Sequence, residues 1–289
     1  MNDLEYGILL VMAIMTMILI FYKNDGNAWY KRHAGRFSAA AIEFFIGTLM
    51  MGVFFWNTGK WFANVEELNW VAIDWHRFLM NFFMIGGQGM LFLGTAATGR
   101  ACHELREAEE EKPSSLNKGA FYCLNTMISC NFVLQMMLMS FVVPVYYNDY
   151  EGITHMYVNR GGVKGLIYQY IFFCCFIGFL TFLFFGISIF FARRQLSCCS
   201  IALGFAATFL AMVNAFINVV WWGFWLFFIN KKWWLQWEYM IFWALMNVIA
   251  TPCLPQLLIW SVLRKAPIGG QTNDASALLE ERVLTSSVN

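Results

Sequence analysis

Apolar residues in this chain gather in long uninterrupted runs. Seven runs stand out, at about 6–22, 38–56, 78–98, 119–146, 165–191, 197–228 and 237–263. A helix needs about 20 mainly apolar residues to cross roughly 30 Å of hydrocarbon, and each run comes close to that or exceeds it. None alternates with period two over a strand's length, so the pattern predicts helices and speaks against a β-barrel. The sixth run is too long for one upright helix and too short for two. No charge or turn residue offers a break in it, so it reads as one helix that tilts or continues into the outer interface.

The polar connections set an orientation. Lys23, Lys31, Arg32 and Arg36 follow the first run, and Arg100, Arg106, Lys112 and Lys118 follow the third. Arg193 and Arg194 follow the fifth, and Arg264 and Lys265 the seventh. The other side carries fewer cations, and basic loops stay in the cytosol. The expected architecture is therefore all-α: a seven-transmembrane-helix bundle over residues 1–265, N-terminus out, with a flexible cytosolic tail at 266–289. Asp3 and Glu5 stand where a signal peptide would be basic, so the first run is expected to stay in place. Trp56, Trp61, Trp70, Trp75, Trp221, Trp222, Trp225, Trp233, Trp234 and Trp237 fall near the outer boundary, as an interfacial belt would.

Composition fits a bilayer as solvent. Hydrophobic residues make up 60% of the chain and charged residues 13%, which leaves too little polar surface for a water-soluble globule. A net charge of +1 gives no reason to expect nucleic acid. There is no zinc-spaced Cys/His cluster and no Gly-rich phosphate loop, so no metal or cofactor is expected. The lipid bilayer is the first expected partner.

Polar residues inside a membrane are costly and therefore informative. Glu43 lies about five residues into the second run. His76, in Asp74-Trp75-His76-Arg77, opens the third at the outer face and can titrate between about pH 5 and 8. Amides line the inner runs: Asn81 and Gln88 in the third, Asn125, Asn131 and Gln135 in the fourth, Asn214 and Asn218 in the sixth. Asn214 and Asn218, four apart, share a helix face. Interhelical hydrogen bonding is one use for such amides. A polar cavity for a small cation or proton, lined by Glu43, His76, Asn81, Gln88, Asn131, Gln135, Asn214 and Asn218, is the sharper one. Gly86, Gly87, Gly89 and Gly94 make the third run a close-packing helix, and Pro252 and Pro255 should kink the seventh.

Two further signals lie on the cytosolic side. Cys198 and Cys199 follow Arg193-Arg194 at the boundary, a position suited to palmitoylation. In the tail, Asp274 precedes Leu278-Leu279 by four residues, the acidic dileucine pattern that clathrin adaptors read.

Enzyme classes fit poorly. A three-histidine zinc site cannot be assembled, because His33 and His103 lie on the opposite side from His76 and His155. The seventh run has no lysine for a retinal Schiff base. A rhodopsin-like receptor would carry an acid–Arg–aromatic triplet at the inner end of the third span, where this chain reads Thr98-Gly99-Arg100-Ala101. A divergent seven-span receptor at the plasma membrane is the second functional reading. The first is a non-enzymatic protein of endosomal or lysosomal membranes that transports or senses a cation or proton.

The stretches Ala41-Ile42-Glu43-Phe44-Phe45-Ile46-Gly47 and Trp75-His76-Arg77-Phe78-Leu79-Met80-Asn81-Phe82-Phe83 resemble the transmembrane protein 45 family over about residues 36–93. That family places a similar Glu and Gly in its second span and opens its third with Trp-His. The resemblance implies an integral protein of Golgi, endosomal or lysosomal membranes. The family's fourth span is rich in histidine, where this chain has Asn125, Asn131 and Gln135, so no histidine-dependent role carries over.

Overall fold

The computed structural model describes residues 2–23, 28–63, 70–110, 115–138, 161–228 and 251–265. These form helices and short links, with no strand among them. The helices are α1 (Asn2–Lys23), α2 (Ala28–Ala63), α3 (Trp70–Glu110), α4 (Ser115–Met137), α5 (Gly161–Phe191), α6 (Cys198–Phe228) and α7 (Leu254–Lys265). Four carry segments long and apolar enough to cross a membrane: Arg36–Phe54, Phe78–Leu105, Phe172–Phe191 and Cys198–Val220. Gly7–Ile20 and Thr251–Leu263 are shorter apolar helices.

Large apolar side chains point outward on several helices. Phe209 and Phe216 on α6 are 67% and 70% exposed, and Val11, Ile18, Phe172, Phe176 and Phe190 are exposed as well. In water such a surface would drive aggregation; against lipid it costs nothing. These are the marks of an integral membrane protein.

The helices form a ring. Around it α1 packs on α2, α2 on α3, α3 on α5, α5 on α6, α6 on α7, and α7 back on α1. α4 stands outside the ring, seated on α3 and α5. Phe37, Phe44, Phe182, Phe185, Leu258 and Ile259 fill the interior and are fully buried.

Glycine sets the closest approaches, since small residues let backbones meet in lipid. A methyl group on Gly47 would stand 2.9 Å from the Gly87 carbonyl oxygen, and one on Gly87 2.8 Å from Met51 Cγ. At Gly94 it would meet Phe44 at 3.1 Å, and at Gly99 the Phe185 backbone at 3.1 Å. The glycines of α3 thus serve α2 on one side and α5 on the other, which gives this helix the central place its sequence suggests. Thr95, Thr98, Thr181 and Thr208 bond their hydroxyls to the carbonyl four residues back, so small polar residues enter the seams already satisfied.

The pairings also give directions. Gly47 meets Gly87 while Ala40 and Phe44 meet Gly94, so α2 and α3 are antiparallel. Gly186 meets Thr208 while Ile189 meets Gly204, so α5 and α6 are antiparallel too. α3 and α5 run the same way, with Phe92 on Gly178 and Gly99 on Phe185.

The sixth run is one unbroken helix, α6, of 31 residues. Residues 99–110, expected to leave the third span as a charged connection, instead continue α3, which reaches 41 residues and about 60 Å. Arg100 is therefore helical and 4% exposed, not a loop cation. At the start of the last helix, residues 251–253 form a wider π-helical turn around Pro252, an accommodation of the missing N–H.

Candidate functional site

Polar side chains cluster at one end of the ring, where α2 begins and α3 ends. Arg100 Nη1 donates to Asn117 Oδ1 at 2.7 Å. Its Nη2 lies 3.1 Å from Glu104 Oε1, one turn along α3. Arg36 Nε on α2 donates to the same carboxylate oxygen. The Arg36 guanidinium also sits 5.5 Å from the centre of the Phe121 ring on α4. Asn117 Nδ2 passes the chain on to Ser188 Oγ on α5, at 3.5 Å. His103, buried beside them, meets Phe191 edge to face at 6.0 Å. One carboxylate thus ties two guanidinium groups, and the network joins α2, α3, α4 and α5. A charge as far from water as that of Arg100 persists only when paired and hydrogen-bonded.

A second polar group lies between α1 and α7. Trp260 Nε1 donates to Thr16 Oγ1 at 2.6 Å, and Gln256 Oε1 is 3.2 Å from the same hydroxyl. Ser200 and Ser261 are hydrogen-bonded where α6 meets α7.

The amides singled out by sequence fall into separate places. Gln135 Nε2 donates to Asn131 Oδ1 at 3.1 Å within α4. Asn218 Nδ2 donates to the Asn214 carbonyl and Oδ1, both at 2.8 Å, within α6. Asn81 and Gln88 are seven apart on α3, and Gln88 is one turn from Phe92, which faces α5. Gly86 and Gly94, by contrast, face α2. Glu43 is half-buried on α2, and its Oε2 is buried with no hydrogen-bond partner. Arg36, two turns away, is engaged by Glu104 and Phe121, not by Glu43. The His76 side chain lies outside the described residues, as do Asp274, Leu278 and Leu279. Cys198 and Cys199 are exposed at the first turn of α6, beyond the link that carries Arg193 and Arg194.

Two features were not singled out as sites beforehand. The Arg100–Glu104 spacing of four is a visible helical pair, but its partners on α2, α4 and α5 are visible only in the fold. Asn125 is the other. Its Oδ1 is buried and unpartnered, like Glu43 Oε2.

No family model, no curated protein and no solved structure matches this chain.

Proposed function

We propose that this chain is a seven-span membrane protein, N-terminus outside and C-terminus cytosolic, that carries or senses a proton or small cation through Glu43. The observation that carries the reading is the Glu43 carboxyl itself. It sits inside a span, with one oxygen buried and unbonded. A carboxylate in that position needs a proton or a cation to balance it. The end of the bundle that carries Arg36, Arg193 and Arg194 supports placing that end in the cytosol. His76, Asn81, Gln88, Asn131, Gln135, Asn214 and Asn218 are the further polar groups of the spans, of which Asn131 with Gln135 and Asn214 with Asn218 are bonded within their own helices. An endosomal or lysosomal membrane, where a proton gradient exists, suits the chemistry and the dileucine pattern.

The test is flux. Purified protein in liposomes containing a pH-sensitive dye is given a proton or potassium gradient. Flux in the parent and its loss in Glu43→Gln is the expected result. Equal flux in both, or none in the parent, overturns the reading.

A further inference from the structure

Three contacts fix how α2 and α4 face each other across α3. Arg36 on α2 lies over Phe121 on α4. Fourteen residues further along α2, Met50 reaches the space above Gly86, where its Cε would be 2.5 Å from an added methyl group. Phe132 of α4 reaches the same space, 3.4 Å from that methyl group. Both helices run the same way from the Arg36 end, because each is antiparallel to α3: Arg100 pairs with Asn117 and Gly86 with Phe132.

Between those two anchors each helix presents one polar residue. Glu43 is seven residues from Arg36 and seven from Met50, so the three share one flank of α2. Asn125 is four residues beyond Phe121, whose ring lies between Arg36 and Phe184 of α5, and seven before Phe132, whose flank of α4 it shares. Asn131 and Gln135 lie on the other flank, in line with Asn117, which reaches toward α5. By this register Glu43 and Asn125 stand at about the same level on facing flanks of a groove whose floor is α3. Each has a buried oxygen without a hydrogen-bond partner.

We propose that Glu43 and Asn125 form a two-residue proton site across the α2–α4 groove, directly or through one water. The proposal rests on the functional reading above and narrows it from cation to proton. Two buried acceptor oxygens cannot face one another stably in a low-dielectric setting without a hydrogen between them. As the acid, Glu43 donates its O–H to Asn125 Oδ1. As the carboxylate, it accepts from Asn125 Nδ2 once the carboxamide turns over. An amide carries a donor and an acceptor on one planar group, so Asn125 can follow either state of its partner. The same pair makes a poor metal site. Two oxygens fall far short of the roughly six that magnesium or calcium takes. At the Arg36 end the groove is spanned by the Arg36–Phe121 contact and the Glu104 bridge.

Two measurements on the full chain in liposomes test the pair. In a background with the eight cysteines replaced, Glu43→Cys with Asn125→Cys is treated with a short bis-methanethiosulfonate, and Glu43→Cys with Asn131→Cys serves as control. Cross-linking of the first pair and not the second is expected. Equal yields, or none in the first pair, overturn the juxtaposition. Separately, the otherwise native protein is treated with a hydrophobic carbodiimide, which adds to a carboxylic acid in an apolar setting, and the Glu43 peptide is read by mass spectrometry. Asn125→Leu should speed this labelling several-fold, because the acid loses its acceptor, while Asn131→Leu should leave it unchanged. An unchanged rate in Asn125→Leu, or the same rise in both variants, overturns the proposal. Neither readout depends on flux: absent flux with the pair intact removes only the functional reading, and a separated pair removes only this one.

Discussion

Glu104 should hold more of the fold together than either arginine it serves on α2 or α3 alone would suggest. Glu104→Gln keeps the side-chain shape and one acceptor oxygen but removes the charge. Arg100, 4% exposed, then keeps its 2.7 Å bond to Asn117 and loses its anionic partner. Breaking a fully buried ion pair by removing one member costs about 3–5 kcal/mol. An exposed pair is worth about 1 kcal/mol or less. Glu104, with 24% of its side chain exposed, falls between these limits. The expected loss is about 2–3 kcal/mol. Arg36→Gln is a different case. Its side chain is 31% exposed and Glu104 keeps Arg100, so the loss is a partly solvated pair and a cation–π contact, about 1 kcal/mol together. Heating the detergent-solubilised protein and following the surviving folded peak by size-exclusion chromatography measures both. At about 2–4 °C per kcal/mol, Glu104→Gln should lower the midpoint by about 4–12 °C and Arg36→Gln by about 2–4 °C. Equal shifts, or a Glu104→Gln protein as stable as the parent, would show that Arg100 does not depend on this carboxylate.

Three further outcomes are expected. Gly47→Ala, which places a methyl group 2.9 Å from the Gly87 carbonyl oxygen, should cost about 1–3 kcal/mol in the same heating assay. Gly89→Ala, with its nearest neighbour 4.0 Å away at Ile128, should be tolerated, and a reversed order would mean the α2–α3 seam is misplaced. Cys198 and Cys199, exposed at the start of α6, should carry hydroxylamine-sensitive acyl groups in cells; acyl exchange that is unchanged in the Cys198→Ser, Cys199→Ser double variant would exclude them. Replacing Leu278 and Leu279 by Ala should move a tagged protein toward the cell surface, and an unaltered distribution by microscopy would rule out the sorting signal.

The helices were legible where the pattern was long. Residues 197–228 contain no charge and no turn signal, and α6 runs through them without a break. The end of α3 was harder. Residues 100–110 are rich in Ala, Arg, Leu and Glu, which favour helix, yet their charges also suit a solvated connection, and only packing decides between the two. Arg100 shows the limit most clearly. Counting it among loop cations treats every arginine as hydrated, whereas Asn117 and Glu104 together let this one enter the bundle. Glu43 was legible as a costly residue, but its neighbour was not. Asn125 stood among several amides of equal appearance on α4, and its place beside α2 depends on Phe121 and Phe132, whose partners lie far away in sequence.

Among the described residues, and apart from α4, the order of helices around the ring is their order along the chain, so the ring is completed where α7 meets α1. Thr16 must wait for Trp260 and Gln256, some 240 residues later, before its hydroxyl is fully engaged. During synthesis α1 therefore spends the longest time as an edge, open to lipid on the side that α7 will cover. A translation stop anywhere before Gln256 leaves an arc with two raw edges, however well its other seams have formed. Early termination late in the message is thus a lesion of the N-terminal helix as much as of the C-terminal one, and membrane quality control would meet it at both ends.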